Sequence, residues 1–323
     1  MKAIVYHRYG SPEVLKCEEI EKPSAGDDDV LIRVRAAAVN PLDWHFMRGE
    51  PYMIRIMTGA RKPEKGRLGV DLSGQVEAVG RKVTQFRPGD EVFGLSPGAC
   101  AEYVCAREQS VAVKPANLTF EQAAAMPTAA ITALKALRDK GRIQPGYKVL
   151  INGAAGGVGT FAVPIAKSFG ATVTGVCSTR NVDLVRSIGA EHVIDYTRED
   201  FTTGSQRYDL IFDCVSNHSL SACRRVMSAE GTYIMVGGTG GSWFGPLAPG
   251  LKAFLLSRFV SQNLVMFLSR EKKEDLVAVK ELAENKTFTP VIDRTYTLNE
   301  APEAVRYLEE GHARGKVVIA IAT

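Results

Sequence analysis

No Cys-X-X-Cys pair occurs in the chain; its six cysteines, Cys17, Cys100, Cys105, Cys177, Cys214 and Cys223, are scattered. That spacing argues against a disulfide framework and a zinc knuckle, and makes reduced thiols in a cytoplasm the expected state. Basic blocks are equally scarce. Forty Lys and Arg are interleaved with 36 Asp and Glu, for a net charge of +4, and no aromatic-interleaved basic stripe marks a nucleic-acid reader. A long apolar run is missing as well. The most apolar late stretch, residues 251–269, is broken by Arg258, Gln262 and Asn263, short of the roughly 20 residues that span a bilayer. It is expected to pack as a helix and a strand inside the protein, with no membrane partner. The opening residues MKAIVYHRYG show neither the charged nor the apolar region of an export signal. The five histidines stand apart without metal-type spacing.

What is present describes an ordinary globular protein, 45% hydrophobic and 24% charged. Its 323 residues make two domains the natural expectation. Up to about Leu118 the pattern is short β-type runs separated by turns, such as DDDVLIRVRAAAV and LSGQVEAVG. Arg87-Pro-Gly-Asp90 sets Pro and Gly where a tight turn is needed. The segment CAEYVC reads as a strand with half-buried thiols. The texture changes at Leu118, where TFEQAAAMPTAAITALKALRDKG reads as helix, with Thr119 and Gln122 as a capping box. From Tyr147 to about Gly237, apolar runs of four to six residues alternate with amphipathic helices, including one through SLSACRRVMSAEG. That alternation is the signature of a parallel sheet covered on both faces, hence a doubly wound α/β domain.

One glycine cluster carries chemistry. Gly153, Ala155, Gly156, Gly157, Val158 and Gly159 follow a buried-type strand and open a helix. This context brings backbone N–H groups close to a pyrophosphate at a helix N-terminus, so the loop is expected to bind a dinucleotide. The next strand ends at Ser178-Thr-Arg180, where an NAD enzyme usually carries an acid for the ribose 2′-hydroxyl. A hydroxyl and a guanidinium suit a 2′-phosphate instead, which points to NADPH. Val215 and Gly237-Gly238 end later strands and are expected to border the cofactor, because ligands gather at the carboxyl ends of parallel strands.

Together Asn40-Pro-Leu-Asp43, the AAGGVG loop, RPGDEVFG and the terminal GKVVIAI resemble the medium-chain dehydrogenase/reductase superfamily. Within it they look like the quinone oxidoreductase (zeta-crystallin-like) branch and the related alkenal and enone reductases. The resemblance spans nearly the whole chain. It implies a GroES-like β-rich catalytic domain over residues 1–120 and 290–323, a Rossmann domain over 121–289, and the cofactor in the cleft between them. Edge pairing of Rossmann sheets allows a homodimer, with a monomer as the alternative. Asn40 stands at the position of a zinc-binding Cys, and Gly69-Val70-Asp71 replaces a zinc-binding Gly-His-Glu. Tetrahedral zinc needs three or four protein ligands, so no metal is expected, and without one a quinone or an activated C=C bond is the expected hydride acceptor. A zinc-free alcohol dehydrogenase, an enoyl-thioester reductase and a non-catalytic NADPH binder are the alternatives.

The same resemblance implies site residues. Asn40 should lie by the cofactor or simply start an Asn-Pro turn, Thr132 should lie by the cofactor, Asp43 should orient the loop or a water or cap a helix, and Tyr52 should donate to a substrate oxygen or anchor an amphipathic loop. Tyr196 should touch the phosphate side of the adenosine. Lys316, just before the final strand, reads first as a surface lysine, with a reach to the cofactor cleft as the alternative. His45 reads first as a loop residue near the site. Segments 51–67 and 240–267 are expected to be apolar loops suited to a hydrophobic acceptor.

Overall fold

The structure, a computed structural model, describes residues 1–236, 261–267 and 272–322. The chain divides into two compact units, Met1–Ile131 with Glu271–Thr323, and Thr132–Arg270.

The first unit is mainly β. Strands β1 (Lys2–Val5) and β2 (Lys16–Glu19) form their own antiparallel pair. A seven-stranded sheet holds β3 (Asp29–Val39), β4 (Asp71–Val79), β5 (Glu91–Leu95), β6 (Tyr103–Arg107) and β7 (Val111–Val113). Its remaining members come from the end of the chain, β14 (Ile292–Thr297) and β15 (Lys316–Ala320). The order is β14-β15-β3-β4-β5-β7, with β6 also pairing with β3. Two short helices, α1 (Pro41–Arg48) and α2 (Ile54–Thr58), separate β3 from β4.

Strand β3 shows why the sequence builds this sheet. Its first half buries Ile32 and Val34 while Arg35 points out, as period-two alternation requires. Ala36, Ala37, Ala38 and Val39 are then all buried. The second face is covered there by α3 (Phe120–Ala124), which packs Ala124 against Ala36 and Ala38, and alanines permit that close approach. The other face belongs to the main core with Ile4, Leu72, Val92 and Ile319. The Arg87–Asp90 turn forms as read: Gly89 takes φ +98°, and Asp90 closes it through its backbone and carboxylate. Thr119 and Gln122 make the capping box of α3. CAEYVC departs from expectation, because the strand begins only at Tyr103 and Cys100 is fully buried ahead of it.

The second unit is a six-stranded parallel sheet, entered through α4 (Pro127–Lys135). Its elements are β8 (Lys148–Asn152), α5 (Gly159–Ser168), β9 (Thr172–Cys177), α6 (Val182–Ser187), β10 (His192–Asp195), β11 (Tyr208–Asp213), α7 (Leu220–Arg225), β12 (Met227–Met235) and β13 (Asn263–Met266). The order β10-β9-β8-β11-β12-β13 runs outward from β8 and then returns to its other side. The sheet therefore reverses direction between β8 and β11, the place where such folds bind ligands.

The helix expected through SLSACRRVMSAEG stops at Arg225, and Met227–Glu230 already lie in β12. Met, Ala and Glu are good helix formers, but Met227 pairs with Tyr208, the Tyr208 N–H donates to Val226 O, and Val226 and Met227 are buried. Sheet pairing and burial override propensity here. Of the apolar stretch 251–269, β13 is the strand part; residues 251–260 and 268–269 lie outside the described residues. The first unit is completed by α8 (Lys273–Glu284) and α9 (Ala301–Glu309). Among the described residues no helix is long and apolar enough to cross a membrane.

Candidate active site

In the first unit the chain leaves β3 at Val39, and Asn40 becomes the N-cap of α1, with Pro41 at the first helical position. The Asn40 N–H donates to Asp43 Oδ2 at 2.7 Å, which is half of a capping box. The other half is missing. Instead of serving the helix, the Asn40 amide donates through Nδ2 to Asp71 Oδ2 at 3.0 Å and accepts through Oδ1 from Lys316 Nζ. Asp71 also accepts from the Thr128 N–H at 3.1 Å and from the Thr128 hydroxyl at 2.5 Å. Lys316 Nζ lies 3.7 Å from Asp71 Oδ2. Two carboxyls and one amine are thus almost withdrawn from solvent, at 0% exposure for Asp71 and 3% each for Asp43 and Lys316.

Burial raises both carboxyls and lowers the amine, because each charged form loses its water. For Asp71, Lys316 and the Thr128 hydroxyl oppose that rise. For Lys316, the carboxylates of Asp71 and Asp43 oppose the fall. Asp43 is pushed up to about 7, by burial first, with the Asn40 N–H opposing and Asp71 adding to the rise. Its charge also reaches Tyr6, pushed up to about 12 by burial and then by Asp43, and the buried Cys100 thiol, raised in the same way. A folded-state value above the ordinary one means that Asp43 favours folding most at low pH. That contribution is fully present below about pH 4 and is lost as pH rises through about 7. Asp43→Asn keeps an oxygen for the Asn40 N–H and has no proton to lose. Its stability relative to the native protein is expected to improve from pH 5 to pH 8 by a few kcal/mol, at ~1.4 kcal/mol per pH unit. Urea midpoints at the two pH values measure this, and an equal difference at both would show Asp43 ionised throughout.

Tyr52 follows α1, in a segment that is not the plain loop expected for residues 51–67. Helix α2 forms there, and Arg55 is held between the rings of Tyr9 and Tyr52, 4.6 Å from each centroid. Arg55 Nε donates to Gly49 O at 3.0 Å, and Tyr9 donates to Gly59 O. Beside Tyr52, Met53 and Ile56 are exposed, Ile56 to 82%. His45 lies in α1 rather than a loop; its Nδ1 donates to Glu50 O at 2.8 Å, and burial lowers its pKa.

In the second unit the glycine loop joins β8 to α5. Gly153 takes φ +84°, and the N–H groups of Gly153 and Ala154 both reach Val176 O. Ala155, Gly156, Gly157 and Val158 complete the turn, and Gly159 opens the helix. A Cβ on Gly159 would stand 2.1 Å from Gly153 O, so helix and loop touch backbone to backbone. A Cβ on Gly156 would meet only Gly153 O, at 3.3 Å, so the space above that residue is open.

The neighbouring strand ends are held by residues that the sequence reading passed over. At the end of β11, Asp213 is fully buried and its Oδ1 accepts from Asn152 Nδ2 and the N–H groups of Val215 and Ser216, at 2.7–3.0 Å. Its Oδ2 accepts from Tyr233 Oη at 2.7 Å. Val215 is 38% exposed on that turn. At the end of β10, Asp195 accepts from the hydroxyls of Thr179 and Thr197, and Arg198 lies 3.4 Å away. An acid therefore does sit by the β9 end, supplied by the adjacent strand. The Thr179 hydroxyl holds its carboxyl below the ordinary range. Ser178 Oγ accepts from Asn181 Nδ2, Arg180 follows Thr179, and Tyr196 is half exposed just beyond β10. Thr132 is buried in α4. Gly237 and Gly238 lie outside the described residues.

Residues 26–129 match the model described as the alcohol dehydrogenase GroES-like domain, and residues 188–319 match that described as zinc-binding dehydrogenase. The chain is 34% identical to NAD(P)H oxidoreductase RTN4IP1, mitochondrial, of Mus musculus, covering 99% of this chain and 89% of that one. It is 33% identical to 2-methylene-furan-3-one reductase of Solanum lycopersicum, covering 99% and 79%. Among solved structures it is similar to the quinone oxidoreductase from Coxiella burnetii, with a TM-score of 0.88, 31% identity, and 100% and 99% of the two chains covered. The chain belongs to the medium-chain dehydrogenase/reductase superfamily, in its quinone oxidoreductase-like part, and is an oxidoreductase that works with a nicotinamide cofactor.

The second unit fits a dinucleotide on its own geometry. The open space over Gly156 can take a phosphate, and it lies at the N-terminus of α5, where anions are favoured. Two buried polar atoms on the same strand ends, Asn181 Oδ1 and Ser216 Oγ, have no hydrogen-bond partner among the described residues. An unpaired buried acceptor or hydroxyl is unfavourable, and ribose hydroxyls are suitable partners.

Proposed function

We propose that the protein is an NADPH-dependent, zinc-independent reductase that delivers hydride to a quinone or to the β-carbon of an α,β-unsaturated carbonyl. The observation that carries the reading is the Gly153–Gly159 loop at the switch point of the parallel sheet, with open space at Gly156 and unpaired atoms at Asn181 and Ser216. Arg180, with Ser178 beside it, supplies the charge and hydroxyl that suit a 2′-phosphate.

When bound, reduced nicotinamide supplies a hydride. The chain's own residues bind, orient and provide hydrogen bonds. Asn40 and Val70 stand where the superfamily's zinc enzymes place ligands, and an isopropyl group cannot bind a metal. No metal alkoxide is then formed to drive alcohol oxidation. A quinone or enone spreads the incoming charge onto an oxygen, which hydrogen-bond donors stabilise. Tyr52, its ring packed on Arg55, is our donor to that oxygen, and the exposed Met53 and Ile56 offer apolar surface to such an acceptor. Asp43 holds the Asn40 backbone.

The test is oxidation of NADPH and of NADH by the protein purified in chelator, against a quinone, an enone, an aldehyde and an enoyl thioester. We expect turnover with a quinone or enone, unaffected by chelator, and kcat/KM favouring NADPH by about tenfold or more. Tight NADPH binding without turnover would leave a binding protein. Activity that appears only with added zinc would overturn the metal-free reading.

A further inference from the structure

Asn40 is an N-cap residue whose side chain does not cap. In that position an Asn oxygen ordinarily accepts from a backbone N–H in the first helical turn. Here Oδ1 faces the Lys316 ammonium and Nδ2 faces the Asp71 carboxylate, so opposite charges grip the two ends of one amide and fix which end is which. Lys316 is the first residue of β15, and Asp71 is the first of β4. Both strands are paired to β3 within the sheet, and Asp71 itself pairs with Ala38, which makes the grip rigid. The second Asp71 oxygen binds the N–H and hydroxyl of Thr128 in the opening turn of α4. An ionised oxygen is favourable there, at a helix N-terminus.

We propose that Lys316 and Asp71 are positioning residues, a buried clamp that holds the Asn40 amide in one orientation and anchors the start of α4, so that Asn40 is presented in fixed geometry. Its catalytic half rests on the reductase reading above; its structural half does not. Lys316 acts through Asn40, with its ammonium turned inward at 3% side-chain exposure. The amide keeps one oxygen lone pair beyond its bond to Lys316. The clamp therefore decides whether Asn40 offers an acceptor or a donor to whatever approaches it. A charged pair suits this task because reversing the amide would set its oxygen against a carboxylate and its NH2 against an ammonium.

Lys316→Met and the double variant D71N/K316M test it, with thermal unfolding measured on each. In Lys316→Met we expect kcat to fall roughly 10- to 100-fold, as small misplacements near reacting groups do. The double variant removes both charges, so its folding should recover toward native. The amide introduced at position 71 can point its NH2 at Asn40 and turn the Asn40 side chain over, so kcat should stay low. Recovery of kcat in the double variant to within about twofold of native would overturn the proposal, because charge balance alone would then explain Lys316. A folded Lys316→Met with native kcat would overturn it equally. Side-chain amide NMR of the full chain without cofactor provides the arm that needs no turnover. The Asn40 NH2 protons should exchange slowly in the native protein and fast in the double variant, and unchanged exchange would refute the clamp. A native protein without turnover but with this NMR difference would refute the reductase reading and leave the clamp standing.

Discussion

Replacing Gly159 with alanine is expected to abolish measurable NADPH binding and to weaken the fold as well. The new Cβ would lie 2.1 Å from Gly153 O and 2.7 Å from Ala154 Cα. Both are backbone atoms, so no rotamer change relieves the clash. The loop cannot yield without loss either, since Gly153 and Ala154 are bonded to Val176 O and Gly156 to Gly153 O. Overpacking of this kind costs about 1–3 kcal/mol, and displacing a phosphate cradle by about an ångström can lower its function about a hundredfold. Gly156→Ala separates the two effects. Its Cβ meets only one protein atom, at 3.3 Å, so stability should remain within about 0.5 kcal/mol of native. The methyl nevertheless enters the space assigned to the pyrophosphate. Fluorescence titration with NADPH and urea unfolding should show binding lost in both variants and stability lost in Gly159→Ala alone. Native affinity in Gly156→Ala would show that the phosphates lie elsewhere.

That loop was legible because its whole instruction is local. A buried strand, a glycine turn and a helix lie within twenty-one residues, 148–168, and Gly153 and Gly159 have their reasons inside that span, a positive φ and a backbone contact. The β-rich unit was legible for the same reason, through alternation and through turns such as Arg87–Asp90. Where α7 gives way to β12, local propensity favoured helix and pairing with Tyr208 prevailed. The clamp was harder to see. Asp71 and Lys316 each begin a strand, where a charged residue ordinarily marks a solvated strand end, and nothing in the spacing shows that the sheet brings them to Asn40. Asp195 is not legible from the residues after β9, because the acid comes from the adjacent strand β10. Asp71 did carry a signal. It is an acid set between Val70 and Leu72 at the head of a strand, and an acid buried in such a place requires a partner.

Asp213 should have the largest effect on stability, and its substitution tests how the cofactor-side rim is built. Its carboxylate is fully buried and serves four donors, from Asn152, Val215, Ser216 and Tyr233. Two of these are backbone N–H groups that wrap the following turn around the side chain, and they hold Ser216 at φ +59°, a conformation unfavourable for a non-glycine residue. Alanine at this position strands all four donors, and each buried donor left unpaired is destabilising. Asp213→Ala is expected to lose about 3–4 kcal/mol by urea unfolding. Asp213→Asn keeps Oδ1 for three donors and turns an NH2 toward the Tyr233 hydroxyl, which can accept, so about 1 kcal/mol is expected. The consequence reaches the dinucleotide because Val215 packs where a Gly153 Cβ would be, 2.8 Å from Cγ2. When the turn relaxes, the glycine loop loses the surface it rests on. NADPH affinity should fall in the alanine variant and change little in the asparagine variant. An alanine variant as stable as native would mean that water satisfies the four donors and that the turn does not depend on Asp213.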